Sequence, residues 1–239
     1  MIIEGKNAVK EALRSGVTIS ELKVQKGIHD NENLVGLAKE KGVKFAFYDK
    51  AKLDKLSDSK RHQGFIAIAS EFKYSTIEDI IQLAKQKNEN LFLLILDGLE
   101  DPHNVGSILR VADCSGVHGV VVAKHRACAI TDTVVKISSG ASNYVKVVMV
   151  TNINDTIREL KDNFVTILCA EADGDNMYST NMTGDIAVVI GSEGKGVKPL
   201  TRKLCDKAIS IPMKGNVNSL NASVATGVIA FEVLRQRNN

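Results

Sequence analysis

Cysteine is scarce and dispersed. Cys114, Cys128, Cys169 and Cys205 stand singly, with no C-x-x-C pair and no clustered histidines, so neither a disulfide framework nor a zinc site is indicated. Four reduced, packed thiols are expected. Long apolar runs are missing too: the strongest, such as Phe92 to Leu96 and Val120 to Ala123, fall far short of the roughly 20 residues that span a bilayer. No transmembrane helix is expected. The first ten residues carry charge where a secretory signal needs an apolar core, which points to the cytoplasm. Internal repeats and low-complexity tracts are absent as well. What remains is ordinary in composition, with 44% hydrophobic and 25% charged residues over 239 positions, so disorder and collagen-like structure are excluded and one large or two small folded domains are expected.

The net charge of +3 conceals an uneven split. Through Asn88 there are 16 Lys and Arg against 12 Asp and Glu, and beyond it 15 against 16. A basic excess in the N-terminal part suits an anionic partner, although an excess this small also occurs on plain solvated surface.

Periodicity divides the chain in two. Asn7 can cap a helix carrying Ala8, Val9, Ala12 and Leu13 that stops at Gly16; a strand at Leu22 to Gln25, a helix through Leu34, Leu37 and Ala38, and strands at Val43 to Tyr48 and Phe65 to Ala69 follow. These make a small α/β domain over residues 1–72. Ser75 and Glu78 read as a capping box for a helix to about Lys85, and Lys85 to Asn90 is a polar break, so 73–90 reads as a linker. Residues 91–239 form the second domain. Its strands at Leu91–Leu96, Gly119–Ala123, Val145–Val150, Val165–Ala170, Ile186–Ile190 and Ala208–Ile211 are apolar and rich in Val, Ile and Leu, as in a parallel sheet buried on both faces. Helices fall between them at Asn104–Ser115, Asn154–Leu160, Pro199–Leu204 and from about Leu220 to Arg235. Ligands of such doubly wound sheets bind beyond the carboxyl ends of the strands.

Three loops at those ends hold most of the unusual residues: Asp97 to Gly106, Gly191 to Gly196 and Pro212 to Asn221. Glycine lets backbone approach a ligand closely, though strand-to-helix turns use Gly and Asn for geometry alone. No Walker loop can be laid on Gly191 to Val197, and no G-x-G-x-x-G follows Leu96, which disfavours generic NTPases and dehydrogenases. Without a G-x-S-x-G elbow, Ser192, Ser219 and Ser223 are poor hydrolase nucleophiles.

The three segments Asp101-Pro-His-Asn-Val-Gly-Ser-Ile-Leu-Arg110-Val-Ala112, Ile190-Gly-Ser-Glu-Gly-Lys-Gly196 and Ile211 to Ala225 resemble, in order and spacing, the three motifs of the SpoU (TrmH) family of RNA ribose 2′-O-methyltransferases. Upstream, Ile3 to Val9 and His62-Gln-Gly-Phe65 resemble parts of the small substrate-binding domain of its ribosomal RNA guanosine branch. The resemblance implies a SPOUT-type parallel-sheet methyltransferase domain with a deep trefoil knot, preceded by a small α/β RNA-binding domain. It implies S-adenosyl-L-methionine as cofactor, RNA (23S rRNA) as partner, and a homodimer whose active site lies at the subunit contact. Gly191, Ile211, Met213 and Leu220 match positions that hold the cofactor; Asn104, Arg110, Glu193, Ser219 and Asn221 match the polar positions tied to catalysis. Asn7, Asn143 and Lys146 depart from the family pattern, so the target nucleotide is not read from them.

Methyl transfer from a sulfonium to a ribose hydroxyl needs oxygen, methyl carbon and sulfur in line, and the hydroxyl must lose its proton. The resemblance makes Arg110 the favoured catalytic residue, a position sometimes drawn in that family as the base. A guanidinium stays protonated, so gripping a phosphate and stabilising an alkoxide are physically easier roles. Outside the motif it reads as a surface arginine paired with Asp113 or Glu100. Glu193 suits loop bracing better than proton abstraction, and Ser219 and Asn221 also suit helix capping. Two other functions stay open: a tRNA guanosine 2′-O-methyltransferase, and a non-catalytic RNA-binding ribosome assembly factor.

Overall fold

Two separate cores divide the chain, one in Met1–Lys73 and one in Tyr74–Asn239. The computed structural model describes residues 2–14, 19–28, 32–57, 60–69, 72–216 and 219–238. The first unit runs β1 (Ile2–Glu4), α1 (Lys6–Arg14), β2 (Ile19–Gln25), α2 (Glu32–Glu40), β3 (Phe45–Tyr48), α3 (Lys50–Leu56) and β4 (Phe65–Ala69). Its sheet has the order β1-β4-β2-β3, with β2 parallel to β3 and β4 antiparallel to both of its neighbours. Val9 and Leu13 of α1, Leu34 and Ala38 of α2, and Leu22, Val24 and Phe65 of the sheet form one core. The expected stop of α1 at Gly16 lies outside the described residues. His62 fixes the turn into β4: Nδ1 accepts from the Gly64 amide at 2.9 Å, which leaves Nε2 to donate to Asp54 at 2.9 Å.

The second unit opens with α4 (Ile77–Lys87) and continues β5 (Phe92–Asp97), α5 (Pro102–Cys114), β6 (Gly119–Ala123), α6 (Asp132–Ile137), β7 (Lys146–Val150), α7 (Ile153–Asp162), β8 (Thr166–Asn176), β9 (Ile186–Gly191), α8 (Pro199–Leu204), β10 (Lys207–Ser210) and α9 (Ala222–Arg237). Its six strands are all parallel, in the order β10-β8-β9-β5-β6-β7. The chain winds outward from β5 to β7 on one side and lays β8, β9 and β10 on the other. The order therefore reverses between β5 and β9, where such sheets leave a crevice at the strands' carboxyl ends. Among the described residues no helix is long and apolar enough to cross a membrane.

Residues 73–90 are not a linker. Ile77, Ile80 and Ala84 enter the core of the second unit, and Ile80 occupies the space a side chain at Gly119 would need, 2.2 Å from the position of an added Cβ. The capping box is formed by Thr76 and Asp79 rather than Ser75 and Glu78. Even the polar break is pinned: buried His118 accepts from the Phe92 amide at 3.1 Å through Nδ1, and its Nε2 donates to Glu89 at 3.0 Å.

β8 also departs from expectation. It continues past Ala170 to Asn176, but its pairing with β10 jumps from Ala208 opposite Cys169 to Ile209 opposite Asp175. The residues between leave the ladder as an irregular excursion. Their polar sequence, Glu171-Ala-Asp-Gly174, resembles a turn because no apolar alternation holds it in the sheet.

Candidate active site

The crevice at the carboxyl ends is closed by hydrogen bonds between segments far apart in sequence. Asp97, the last residue of β5 and 1% exposed, accepts from the Lys198 amide at 3.0 Å and the Lys198 ammonium at 2.6 Å. This ties the loop after β9 to the end of β5. Ser192 and Gly196 exchange backbone hydrogen bonds at 3.1 and 2.9 Å, and the Val197 amide donates to Glu171 at 2.6 Å. The loop is thus a tight hairpin braced by a carboxylate of the β8 excursion.

Asp101 caps α5 by accepting from the His103 amide, with Pro102 in the first turn. That start buries Asn104, whose side-chain amide donates to Glu193 Oε1 at 3.1 Å and whose Oδ1 accepts from Asn221 at 2.8 Å. Glu193 Oε1 also accepts from Asn221 Nδ2 at 2.5 Å and from the Ala222 amide at 3.3 Å. Asn221 in turn caps α9, taking the Ser223 and Val224 amides on its Oδ1 at 3.0 and 3.3 Å. One carboxylate oxygen with three donors is a brace for two helix starts.

Beside this network lies a cavity of about 590 Å³, within the range of small-molecule sites. Gly191, Glu193, Ile211, Met213, Ser219, Leu220 and Asn221 line it, together with the β8 excursion. Ile190, Ile211, Ala225 and Ile229 supply apolar walls, and loop backbone supplies the polar rim. Walls of that kind fit a flat purine, and the carboxylate of Glu171 at the edge fits hydroxyls or a cation. The cofactor expected from sequence therefore matches the residues present.

Of the nine expected site residues, seven line this cavity and Asn104 supports it from behind. Arg110 does not line it. It is exposed on α5, six residues beyond Asn104, and among the described residues it makes no ion pair with Asp113 or Glu100. Ser219 does not cap α9; Asn221 does. Sequence reasoning misses Glu171 and the Asp97–Lys198 pair. Glu171 stands just beyond an apolar strand core, the same position that marks the three loops, but no cluster of glycines follows to single it out.

The SpoU rRNA Methylase family matches residues 91–231, and the RNA 2′-O ribose methyltransferase substrate binding family matches residues 2–75. A protein of Staphylococcus haemolyticus named as a TrmH family tRNA/rRNA methyltransferase is 45% identical, covering 99% of this chain and 96% of its own. The SpoU methyltransferase AviRb of Streptomyces viridochromogenes, solved in complex with the cofactor AdoMet, shares the fold with a TM-score of 0.75 at 23% identity, over 100% of this chain and 91% of its own. The TrmH/SpoU tRNA modifying enzyme of A. aeolicus, at 28% identity and a TM-score of 0.57, covers 66% of this chain and 84% of its own. With both units matched and the motif residues gathered around one cavity, the chain belongs to the SpoU rRNA methylase family and is an RNA methyltransferase.

Proposed function

We propose that this enzyme transfers a methyl group from S-adenosyl-L-methionine to the 2′-hydroxyl of a guanosine ribose in 23S ribosomal RNA, acting in the cytoplasm as a homodimer. The observation that carries the reading is the cavity, in which seven motif residues from two strand-end loops meet apolar walls and exposed backbone. Gly191, Ile211, Met213 and Leu220 hold the cofactor, which supplies an electrophilic methyl on a sulfonium. The loop between Ser192 and Gly196 keeps its shape through its own backbone pair and through Glu171. Asn104, Glu193 and Asn221 fix the two helix starts so that the cavity is organised before substrate arrives. Ser219, at the cavity wall, meets the ribose in this reading. Arg110 grips the adjoining phosphate and stabilises the developing alkoxide while the hydroxyl proton leaves to water.

The ribosomal substrate is supported by the first unit, which matches a substrate-binding family, whereas the tRNA modifying enzyme aligns with 66% of this chain, too little to hold both units. The dimer is supported by Val224 and Phe231, exposed a heptad apart on α9, a helix that packs on α5. In the proposed dimer a second copy covers this face and its Arg110 serves the neighbouring cavity. The family's trefoil knot belongs to the same reading; beside the cavity the β8 excursion lies so close to β10 that a Cβ on Gly174 would stand 2.6 Å from the Ile209 amide. Mass-spectrometric mapping of ribose methylation in cells with and without the gene tests the substrate. Loss at one large-subunit guanosine is expected; loss in tRNA would move the substrate, and no loss would favour an assembly factor.

A further inference from the structure

The carboxyl edge of the second sheet carries three basic residues that the site described above does not use. Lys124, His125 and Arg126 follow β6 directly, and all three are exposed. Several cations in this part of the chain are engaged: Lys198 with Asp97, Arg202 with Asp173, Lys207 with Asp175, Lys161 with Asp206 and Arg158 with Asp155. Among the described residues, the side chains of Lys124, His125 and Arg126 have no such partner.

Their loop is held firmly all the same. The Lys124 amide donates to Val150 at 2.8 Å, the Cys128 amide to Leu99 at 2.9 Å and the Ile130 amide to the Tyr74 hydroxyl at 3.0 Å. Leu99 lies in the segment that leads from β5 to Asn104, so the basic loop is fastened to the backbone that carries the polar network. Within this fastened loop Arg126 has φ 54°, a left-handed conformation that side chains with a Cβ rarely adopt. A charged, exposed side chain is thus kept at a turn position that glycine would serve better.

Position supports the same conclusion. β6 is hydrogen-bonded to β5 and β5 to β9, so the tripeptide stands about two strand spacings, roughly 10 Å, from the loop that holds Glu193. That is the distance to a neighbouring nucleotide's backbone, not to the reacting ribose itself. The cavity rim carries carboxylates, Glu171 and Glu193, which repel a polyanion unless cations beside them offset the repulsion.

We propose that Lys124 and Arg126 clamp the RNA phosphodiesters flanking the ribose that is methylated. They are positioning residues, and the assignment rests on the reading of the cavity as the methyl-transfer site.

The test uses the full chain and a protein-free large-subunit rRNA transcript. A Lys124→Ala/Arg126→Ala variant should raise KM for the transcript at least about 10-fold while kcat stays within about twofold and cofactor affinity holds. The slope of log affinity against log salt should fall by about 0.7 to 0.9 for each phosphate that is no longer neutralised. Arg126→Lys should recover most of the KM. Arg126→Gly should lose RNA affinity yet melt at the wild-type temperature or above, because glycine accepts the left-handed backbone; a lower melting temperature would mark a merely structural role and overturn the proposal. Arg158→Ala, on the outer surface of α7, is the control with an unchanged slope. Wild-type KM and slope in the double variant would also overturn it. If the wild-type chain transfers no methyl group while the double variant still loses salt slope, the methyl-transfer reading fails and the RNA-binding role of the two cations stands.

Discussion

Gly191 offers a prediction with distances attached. A Cβ built at this position would stand 2.1 Å from the carbonyl carbon of Gly196, 2.3 Å from the Val197 nitrogen and 2.4 Å from the Gly196 oxygen. All three are backbone atoms, so no side-chain rotation relieves the clash. In Gly191→Ala the returning strand of the hairpin must retreat by at least about 1.3 Å before ordinary van der Waals contact is restored. That retreat stretches the Ser192–Gly196 pair and pulls the Val197 amide from Glu171. Overpacking costs about 1 to 3 kcal/mol and a hydrogen bond to a charged group about 1.5 to 3 kcal/mol. Because the strain partly relaxes as that bond breaks, a total of about 3 to 4 kcal/mol is expected, or roughly 6 to 16 °C in melting temperature for a unit of this size.

Thermal melts followed by circular dichroism measure the first effect, and calorimetry with S-adenosylhomocysteine measures the second, a loss of affinity by at least about 10-fold, equal to about 1.4 kcal/mol. Gly194→Ala is the internal comparison. Gly194 has φ +77° with nothing within 4 Å of an added Cβ, so it carries only the left-handed strain of about 1 to 2 kcal/mol. If Gly191→Ala melts and binds like wild type, or if Gly194→Ala is the more damaging, the close approach of the two backbones is not what this loop depends on.

Arg110→Ala should lower kcat by about 100-fold or more with cofactor affinity retained, as for one preorganised electrostatic group; Arg110→Lys separates charge from the planar fork, and an unchanged Ala variant would return Arg110 to plain surface. Removing residues 1–73 should leave cofactor affinity nearly intact and weaken binding to a large-subunit rRNA transcript; equal RNA affinity at several salt concentrations would refute the division of labour. Burial holds the His118 imidazole below its ordinary value, so between the folded value and about 6.5 the unfolded chain binds the extra proton. Stability is therefore full above about pH 6.5 and falls as pH drops toward the folded value. His118→Asn, which can keep an acceptor for the Phe92 amide, should flatten that fall in urea titrations, and an undiminished slope would show that other groups control it.

What can be read in advance follows from where the physics is local. β5, β6 and β9 are legible to within a residue or two because a strand buried on both faces is apolar throughout. β1 is invisible. Ile2–Glu4 is a strand only because β4, more than sixty residues later, pairs with it. α3 is invisible for a different reason: Lys-Ala-Lys-Leu-Asp-Lys-Leu buries Leu53 alone, too little to make a periodic stripe. α4 is legible as a helix, but its place in the second core is not. Its partner is the space left by the missing side chain of Gly119, and such a space leaves no mark on the helix's own sequence. At the site, the glycine loops stand out because each follows an apolar run. Glu171 does not, because the strand it belongs to resumes pairing beyond it.

Arg110 shows where a motif and a helix disagree, and the disagreement can be tested. Asn104 and Arg110 lie six residues apart on α5, which at 100° per residue places them about 120° apart around the axis and about 9 Å apart along it. One faces the Glu193 brace and is buried; the other faces solvent. A single α5 cannot turn both toward one cavity, so if both serve one ribose, Arg110 acts on the cavity of a second copy. Mixing separately inactive Arg110→Ala and Glu193→Ala chains discriminates. In a symmetric dimer with freely exchanging chains, half the dimers are mixed and one of their two sites is intact, giving about a quarter of wild-type activity. If each site instead uses its own chain's Arg110, every site in the mixture carries one lesion and no activity returns. That outcome, in a mixture shown by native mass spectrometry to have exchanged, would refute the shared site.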